Sequence, residues 1–338
     1  MGFDIDFILS YVVFPLLRFP VPIAFACSKL YAIVVFSIWT LIINGFYWLE
    51  LWFRSRGEQT WKSLNELHDP IVLITGGSNG LGRCIIHKLL RSYNNIKVIN
   101  LDLDVQYWSE EARVINIECD LVNADGLELA LKKIKLEYED KINLLICNAG
   151  VRSRFNWFED TPIDEMQRIM NINTWSTARI LQAIIPRDNQ RQLYIVTISS
   201  VLGILAPSKV ASYAASKAAI TALHNSMTND FLVRGIGNIR TLLVLPGQID
   251  TQMFDGFPPP RKFWAPIVCP AALAEAIIDH CENGLRGTLR TPLYSYFPEF
   301  LMGIPYLLQR FARNFSKMDN CLPIETISSK RSLASVDL

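Results

Sequence analysis

Tyr213 and Lys217, four residues apart, are the pair in this chain best suited to moving a proton. At i and i+4 on a helix they share one face. A phenol with an ordinary pKa of about 10 is a poor acid or base at neutral pH. A nearby ammonium stabilises the phenolate and brings the phenol toward a useful range. Far upstream, Thr75-Gly-Gly-Ser-Asn-Gly-Leu-Gly82 joins an apolar run to an amphipathic one. Gly76, Gly80 and Gly82 are spaced G-x-x-x-G-x-G, with Ser78, Asn79 and Leu81 completing the turn. Such a turn lets backbone approach a pyrophosphate closely while a helix N-terminus presents free N–H groups and a positive dipole end to it. Asp102 stands 20 residues beyond Gly82 at the end of the next apolar run. A carboxylate there accepts hydrogen bonds from the adenosine ribose hydroxyls and repels a 2′-phosphate. The near cation, Arg83, falls inside the helix and is expected to point away from that ribose. NAD(H) is therefore expected, with NADP(H) second, and Asp104 reads as a solvated loop residue.

These residues need a scaffold, and the pattern between them supplies one. Short apolar runs at Ile71–Thr75, Lys97–Leu101, Val114–Glu118, Leu144–Cys147, Leu193–Ile198 and Thr241–Leu245 predict strands. Amphipathic stretches at Leu81–Ser92, Ala124–Tyr138, Ile163–Ile185 and Ser212–Val233 predict the helices between them. Strands alternating with helices mean an α/β fold, a doubly wound, Rossmann-like parallel sheet. No repeat of solenoid period is present.

Tyr213-Ala-Ala-Ser-Lys217 resembles the Y-x-x-x-K motif of the short-chain dehydrogenase/reductase family. The glycine turn, Asn148-Ala-Gly150 and Pro246-Gly247 match that family's other signatures, in its order, over about Pro70 to Thr291. The resemblance implies hydride transfer between a nicotinamide cofactor and an alcohol or carbonyl, with a tetrad of Asn173, Ser200, Tyr213 and Lys217. Ser200, just past a strand end, would hydrogen-bond the substrate oxygen as charge develops. Asn173 would hold a water of the proton relay, and Lys217 would also bind the nicotinamide ribose. Asn171 and Ser199 compete with their neighbours, and family spacing favours Asn173 and Ser200. Ser176 departs from the pattern, which often has Gly there. The resemblance further places Asp120 at the adenine, Asn148, Ala149 and Gly150 on the cofactor floor, and Pro246, Gly247, Ile249 and Thr251 over the nicotinamide amide and a phosphate.

The composition describes two materials. Half of the 338 residues are hydrophobic, and the excess lies at the N-terminus. Tyr31 to Leu49 is 19 residues without a charge, followed by Arg54, Arg56 and Lys62. That length suits a membrane-crossing helix whose basic C-terminal side faces the cytosol. Asp4 and Asp6 speak against a cleaved signal peptide, and Asp6 against myristoylation of Gly2. Phe7–Ala26 is apolar too, but interrupted by Arg18 and three prolines, so one span and a hairpin both stay open. Residues 1–57 are thus expected to anchor the chain, 58–69 to link, 70–296 to form the catalytic domain, and 297–316 to form an amphipathic lid or membrane-surface segment. Residues 317–338 are expected to be disordered. The endoplasmic reticulum, or alternatively a lipid droplet, is the expected site.

A net charge of +1 with no basic run gives no reason to expect nucleic acid. Seven cysteines without a C-x-x-C pair fit reduced thiols. Four histidines without ligand spacing speak against a metal. The aromatic, proline-rich stretch after Thr251, QMFDGFPPPRKFWAP, occupies the family's variable substrate loop and points to a lipophilic substrate reached from the membrane. A homodimer stays open.

Overall fold

Strands that are apolar at nearly every position, rather than at every second one, belong in a sheet covered on both faces. The structure, a computed structural model, describes residues 4–18, 30–55, 60–138, 141–186 and 191–325. Its seven strands are β1 (Ile71–Thr75), β2 (Lys97–Asp102), β3 (Val114–Glu118), β4 (Ile142–Cys147), β5 (Leu193–Ile198), β6 (Ile239–Pro246) and β7 (Gly287–Thr291). They form one sheet in the order β3-β2-β1-β4-β5-β6-β7. Every pairing is parallel. All five residues of β1 and all eight of β6 are buried. The edge strand β7 escapes the sequence pattern because its GTLRT carries no apolar run and is only half-buried.

An N-terminal helical stretch, α1 (residues 5–18), precedes a long helix α2 (Leu30–Ser55). Helices α3 (Gly80–Ser92), α4 (Ala124–Tyr138), α5 (Ile163–Met170), α6 (Ser176–Ile184), α7 (Leu202–Leu205), α8 (Ala211–Val233), α9 (Pro270–Glu282), α10 (Pro298–Gly303) and α11 (Tyr306–Ser316) follow. Side chains of α3 and α9 pack on Val72, Ile74, Leu144 and Val196 of one sheet face. Those of α4, α6 and α8 pack on Leu73, Ile99, Leu145 and Ile195 of the other. The chain reverses direction across the sheet between β1 and β4, and in such sheets the crevice at the carboxyl ends of those strands takes the ligand.

Three features depart from the sequence reading. The helix expected over Ile163–Ile185 runs to Ile184 without a break but widens into a π-turn at Asn171–Trp175. Ser176, where the family often has Gly, bonds its hydroxyl back to the Ile172 carbonyl at 2.5 Å. The polar linker is partly core: the Trp61 indole donates to the Cys281 carbonyl at 3.0 Å and lies 4.6 Å from the buried Arg240 guanidinium. Disorder does not begin at Lys317, because residues 317–325 pack against the catalytic domain, with Leu322 and Glu325 buried. Residues 326–338 of the expected tail, and Arg56 of the basic flank, lie outside the described residues.

Candidate active site

The turn after β1 is built for close approach. Gly76 takes φ +67°, and a Cβ on Gly82 would lie 2.0 Å from the Gly76 carbonyl oxygen. Nothing larger than glycine closes this turn. Asn148 at the end of β4 locks it, donating its amide Nδ2 to the Thr75 and Gly76 carbonyls at 3.1 and 2.9 Å. The Thr75 hydroxyl accepts from the Asn148 and Ala149 amides at 3.1 and 3.0 Å. Helix α3 starts at Gly80, so its first N–H groups face the crevice. At the end of β2 the Asp102 carboxylate accepts from Ser78 N at 2.9 Å and from Leu103 N at 2.8 Å. Each oxygen keeps a lone pair for a further donor.

A cavity of about 1250 Å³ runs from this turn to the tyrosine. Its wall includes Gly76, Asn79, Gly80, Leu81, Asp102 and Asp120 at one end and Ser200, Tyr213 and Lys217 farther along. Asn148, Ala149, Gly150, Pro246, Gly247, Ile249 and Thr251 border it between. Ser78 and Gly82 shape the turn from behind, and Asn173 stands outside the lining. Arg83 borders the same end as Asp102, its guanidinium 4.9 Å from the Tyr107 ring centre.

Tyr213 and Lys217 share a face of α8 as their spacing requires. The Lys217 ammonium donates to the Ile198 carbonyl at 3.0 Å and lies 5.8 Å from the Tyr213 ring centre. Both side chains are buried, and burial sets the direction of both acidities. It lowers Lys217 from 10.5 to about 8. It raises Tyr213 to about 12, against which the hydrogen bond with Ser200 pulls downward. The sequence argument expected a lowered phenol; here desolvation dominates, and only the Ser200 hydrogen bond acts against it.

The competing neighbours separate by contact. The Ser199 hydroxyl is committed to the Lys217 carbonyl at 2.9 Å and the Thr221 hydroxyl at 2.7 Å, whereas Ser200 meets Tyr213. Asn173, inside the π-turn, accepts from Val151 N at 2.8 Å and donates to the Val151 carbonyl at 2.8 Å and the Ser216 hydroxyl at 2.9 Å. It straps the loop after β4 to α8. Beside Gly150, the point where a Cβ would sit is 3.5 Å from Asn173 Oδ1 and 3.1 Å from Lys217 Nζ.

Several residues that shape the site were not visible in the pattern. Asn100, fully buried in β2, accepts from Gly77 N at 3.0 Å and donates to the Ser78 hydroxyl at 3.1 Å. Its polarity inside an apolar run was the available signal. Gln248 donates to the Phe257 carbonyl at 3.1 Å, and the Tyr294 hydroxyl accepts from Gln248 N at 3.2 Å. Arg152, which lines the cavity, forms a buried ion pair with Glu325. No local spacing announces it.

A parallel doubly wound sheet with a glycine turn at its switch point and a buried Ser–Tyr–Lys cluster beside it defines a nucleotide-dependent oxidoreductase. A short chain dehydrogenase family model matches residues 70–261, more than half of the chain. The protein belongs to that family and is an oxidoreductase of the alcohol/carbonyl, NAD(P)-using kind. It is 43% identical over 327 residues, 95% of this chain and 100% of the relative, to uncharacterized oxidoreductase TDA5 of Saccharomyces cerevisiae. It is 29% identical over 248 residues to epidermal retinol dehydrogenase 2 of Mus musculus, covering 70% of this chain and 76% of that one. Among solved structures, a short chain dehydrogenase from Burkholderia cenocepacia in complex with NADP superposes with a TM-score of 0.59 at 22% identity, over 73% of this chain and 97% of that one.

Proposed function

We propose that the protein interconverts an alcohol and a carbonyl on a lipophilic substrate at a membrane, with NAD(H) as the preferred cofactor. The observation that carries the reading is the buried Ser200–Tyr213–Lys217 cluster opening onto a cavity rich in aromatic lining, with Phe254, Phe257 and Trp264 among it. The glycine turn, the α3 N-terminus and Asp102 fit a dinucleotide; when bound, it supplies or accepts the hydride. Tyr213 gives or takes the hydroxyl proton, Ser200 hydrogen-bonds the substrate oxygen, and Lys217 holds positive charge beneath the phenol. Asn173 fixes the loop and helix that carry them. Asp102 favours NAD(H) through its free lone pairs; Arg83, on the same wall, is the group that would favour a 2′-phosphate.

Support for a membrane comes from α2, of which Val34–Ser55 is long and apolar enough to cross one and has no residue buried in the protein. The hairpin form of the anchor is supported by contacts at both ends. The Asp6 carboxylate accepts from Leu293 N at 3.0 Å, and Arg286 N donates to the Arg54 carbonyl at 3.1 Å. A chain tied to the catalytic domain at both positions crosses the bilayer an even number of times between them. Arg18 and Asn44 join the two arms, Asn44 Nδ2 donating to the Arg18 carbonyl at 3.2 Å. A hairpin fits a bilayer such as the endoplasmic reticulum and also the single leaflet of a lipid droplet. The retinol dehydrogenase relative, whose name gives an apolar alcohol as substrate, points the same way.

The test is Tyr213→Phe in the detergent-solubilised full chain, assayed with NAD(H) on a series of apolar alcohols and aldehydes. Turnover should fall about 10²–10⁴-fold, the usual contribution of a positioned acid/base, while NAD(H) binding persists. Turnover within about tenfold of the parent would remove Tyr213 from the role.

A further inference from the structure

Arg152, two residues past Gly150, is buried among aromatic rings where a guanidinium cannot shed its charge. Its cation lies 4.1 Å from the Phe155 ring centre and 5.8 and 5.7 Å from those of Phe254 and Phe257. Glu325 neutralises it with two bonds, Nη1 to Oε2 at 2.8 Å and Nη2 to Oε1 at 3.1 Å. The pair is 6% and 5% exposed, and its members are 173 residues apart in the chain. The same guanidinium reaches the substrate loop, Nε donating to the Met253 carbonyl at 2.6 Å.

The segment that delivers Glu325 is held along its length. Asp319 is bridged to Arg313 at 2.6 Å, and its carbonyl accepts from the Ser208 hydroxyl. Leu322 is buried with Phe155, Val210 and Ala214. Glu325 N donates to the Phe155 carbonyl at 2.9 Å, and Phe155 N returns a bond to the carboxylate at 2.9 Å. Met318, Cys321 and Leu322 line the cavity itself. Phe254, between this segment and the catalytic tyrosine, meets the Tyr213 ring edge-on at 6.0 Å.

We infer that residues 318–325 are a strap, latched by Arg152 and Glu325, that forms the substrate-cavity wall beside Tyr213 and selects for long apolar substrates. The inference rests on the cavity being the substrate site proposed above. Removing the Glu325 charge leaves a cation among three phenylalanines, and water must enter to solvate it. Loop 253–257 then loses its fixed strut, Phe254 leaves Tyr213, and the apolar wall opens. A short substrate loses only the contact with Phe254 beside Tyr213, whereas a long one also loses the wall that Met318, Cys321 and Leu322 provide. Arg152 and Glu325 are positioning residues and touch no reacting atom.

The experiment compares the full-length parent with Glu325→Gln, with the chain ended after residue 317, and with the paired replacement Arg152→Met plus Glu325→Met. A long-chain and a short-chain alcohol are assayed, and amide hydrogen exchange is followed over residues 252–257. In Glu325→Gln and in the shortened chain, KM for the long alcohol should rise at least tenfold and exchange over 252–257 at least tenfold. The short alcohol's kcat/KM should fall no more than about threefold, and NAD(H) binding should stay within about twofold. The paired replacement, which removes cation and anion together, should recover most of the long-alcohol KM. Unchanged exchange over 252–257 in Glu325→Gln overturns the strap whatever the substrate proves to be. Equal loss on both alcohols overturns it too, as does a paired replacement that binds NAD(H) like the parent but does not recover the long-alcohol KM. A parent that oxidises neither alcohol counts against the proposed function, while the exchange result still decides the strap.

Discussion

Replacing Lys217 with Met keeps the length of the side chain and removes a charge that the fold holds at a cost. In the unfolded chain this amine titrates at its ordinary 10.5; in the folded protein burial lowers it to about 8. The unfolded state therefore binds the proton more tightly between those values, and stability rises with pH across the window. At pH 7 both states are protonated and the folded one carries a desolvated ammonium. By about pH 9.5 the folded state has released the proton and the unfolded state has not. Integrating between those limits gives about 2 kcal/mol of stability that the parent gains and Lys217→Met does not. The lost hydrogen bond to Ile198 offsets the mutant by a constant and does not alter the slope. Urea unfolding of both proteins at about pH 7, 8, 8.75 and 9.5 measures the difference directly. Groups common to both proteins cancel. A difference that stays flat within about 0.5 kcal/mol would show that Lys217 is solvated, and the electrostatic account of Tyr213 would fall with it. In the parent, the same titration should appear as an alkaline limb near pH 8 in kcat/KM for the reaction that consumes the Tyr213 proton. Lys217→Met should lower turnover at least about 100-fold at every pH.

Asp102→Ala should shift the ratio of kcat/KM values toward NADP(H) by about 1–3 kcal/mol, the scale of a lost charged hydrogen bond. Arg83→Ala in the same background should remove most of that gain. A parent already preferring NADP(H) would place Arg83 above Asp102. Deleting residues 1–53 should leave a folded domain that binds NAD(H) and no longer sediments with membranes through carbonate. A truncated protein that still sediments would move the anchor to the exposed apolar side of α10 and α11. A protease-sensitive tag at the N-terminus should be cleaved in sealed microsomes together with the catalytic domain if the anchor is a hairpin, and protected if α2 crosses alone.

What could be read from the chain alone was local. A turn that admits only glycine, a Tyr and Lys one helical turn apart, an acid at a strand end and apolar runs of strand length are each fixed within about ten residues. Local stereochemistry suffices to interpret them, and so the sheet and the shared helix face of Tyr213 and Lys217 were legible. Ser200 and Asn173 needed family spacing, because Ser199 and Asn171 have the same chemistry next door. Only packing separates them: Ser199 faces the Lys217 carbonyl, and Asn173 reaches Val151 and Ser216. Tertiary structure also decided the acidities, since desolvation depends on what surrounds an atom rather than on its neighbours in sequence. It placed Arg83 on the cavity border beside Asp102 and packed the half-buried linker tryptophan against Arg240 and Cys281. It gave a tail read as polar and loose a fixed place, because the partner of Glu325 is Arg152, 173 residues away, and no spacing rule reaches that far.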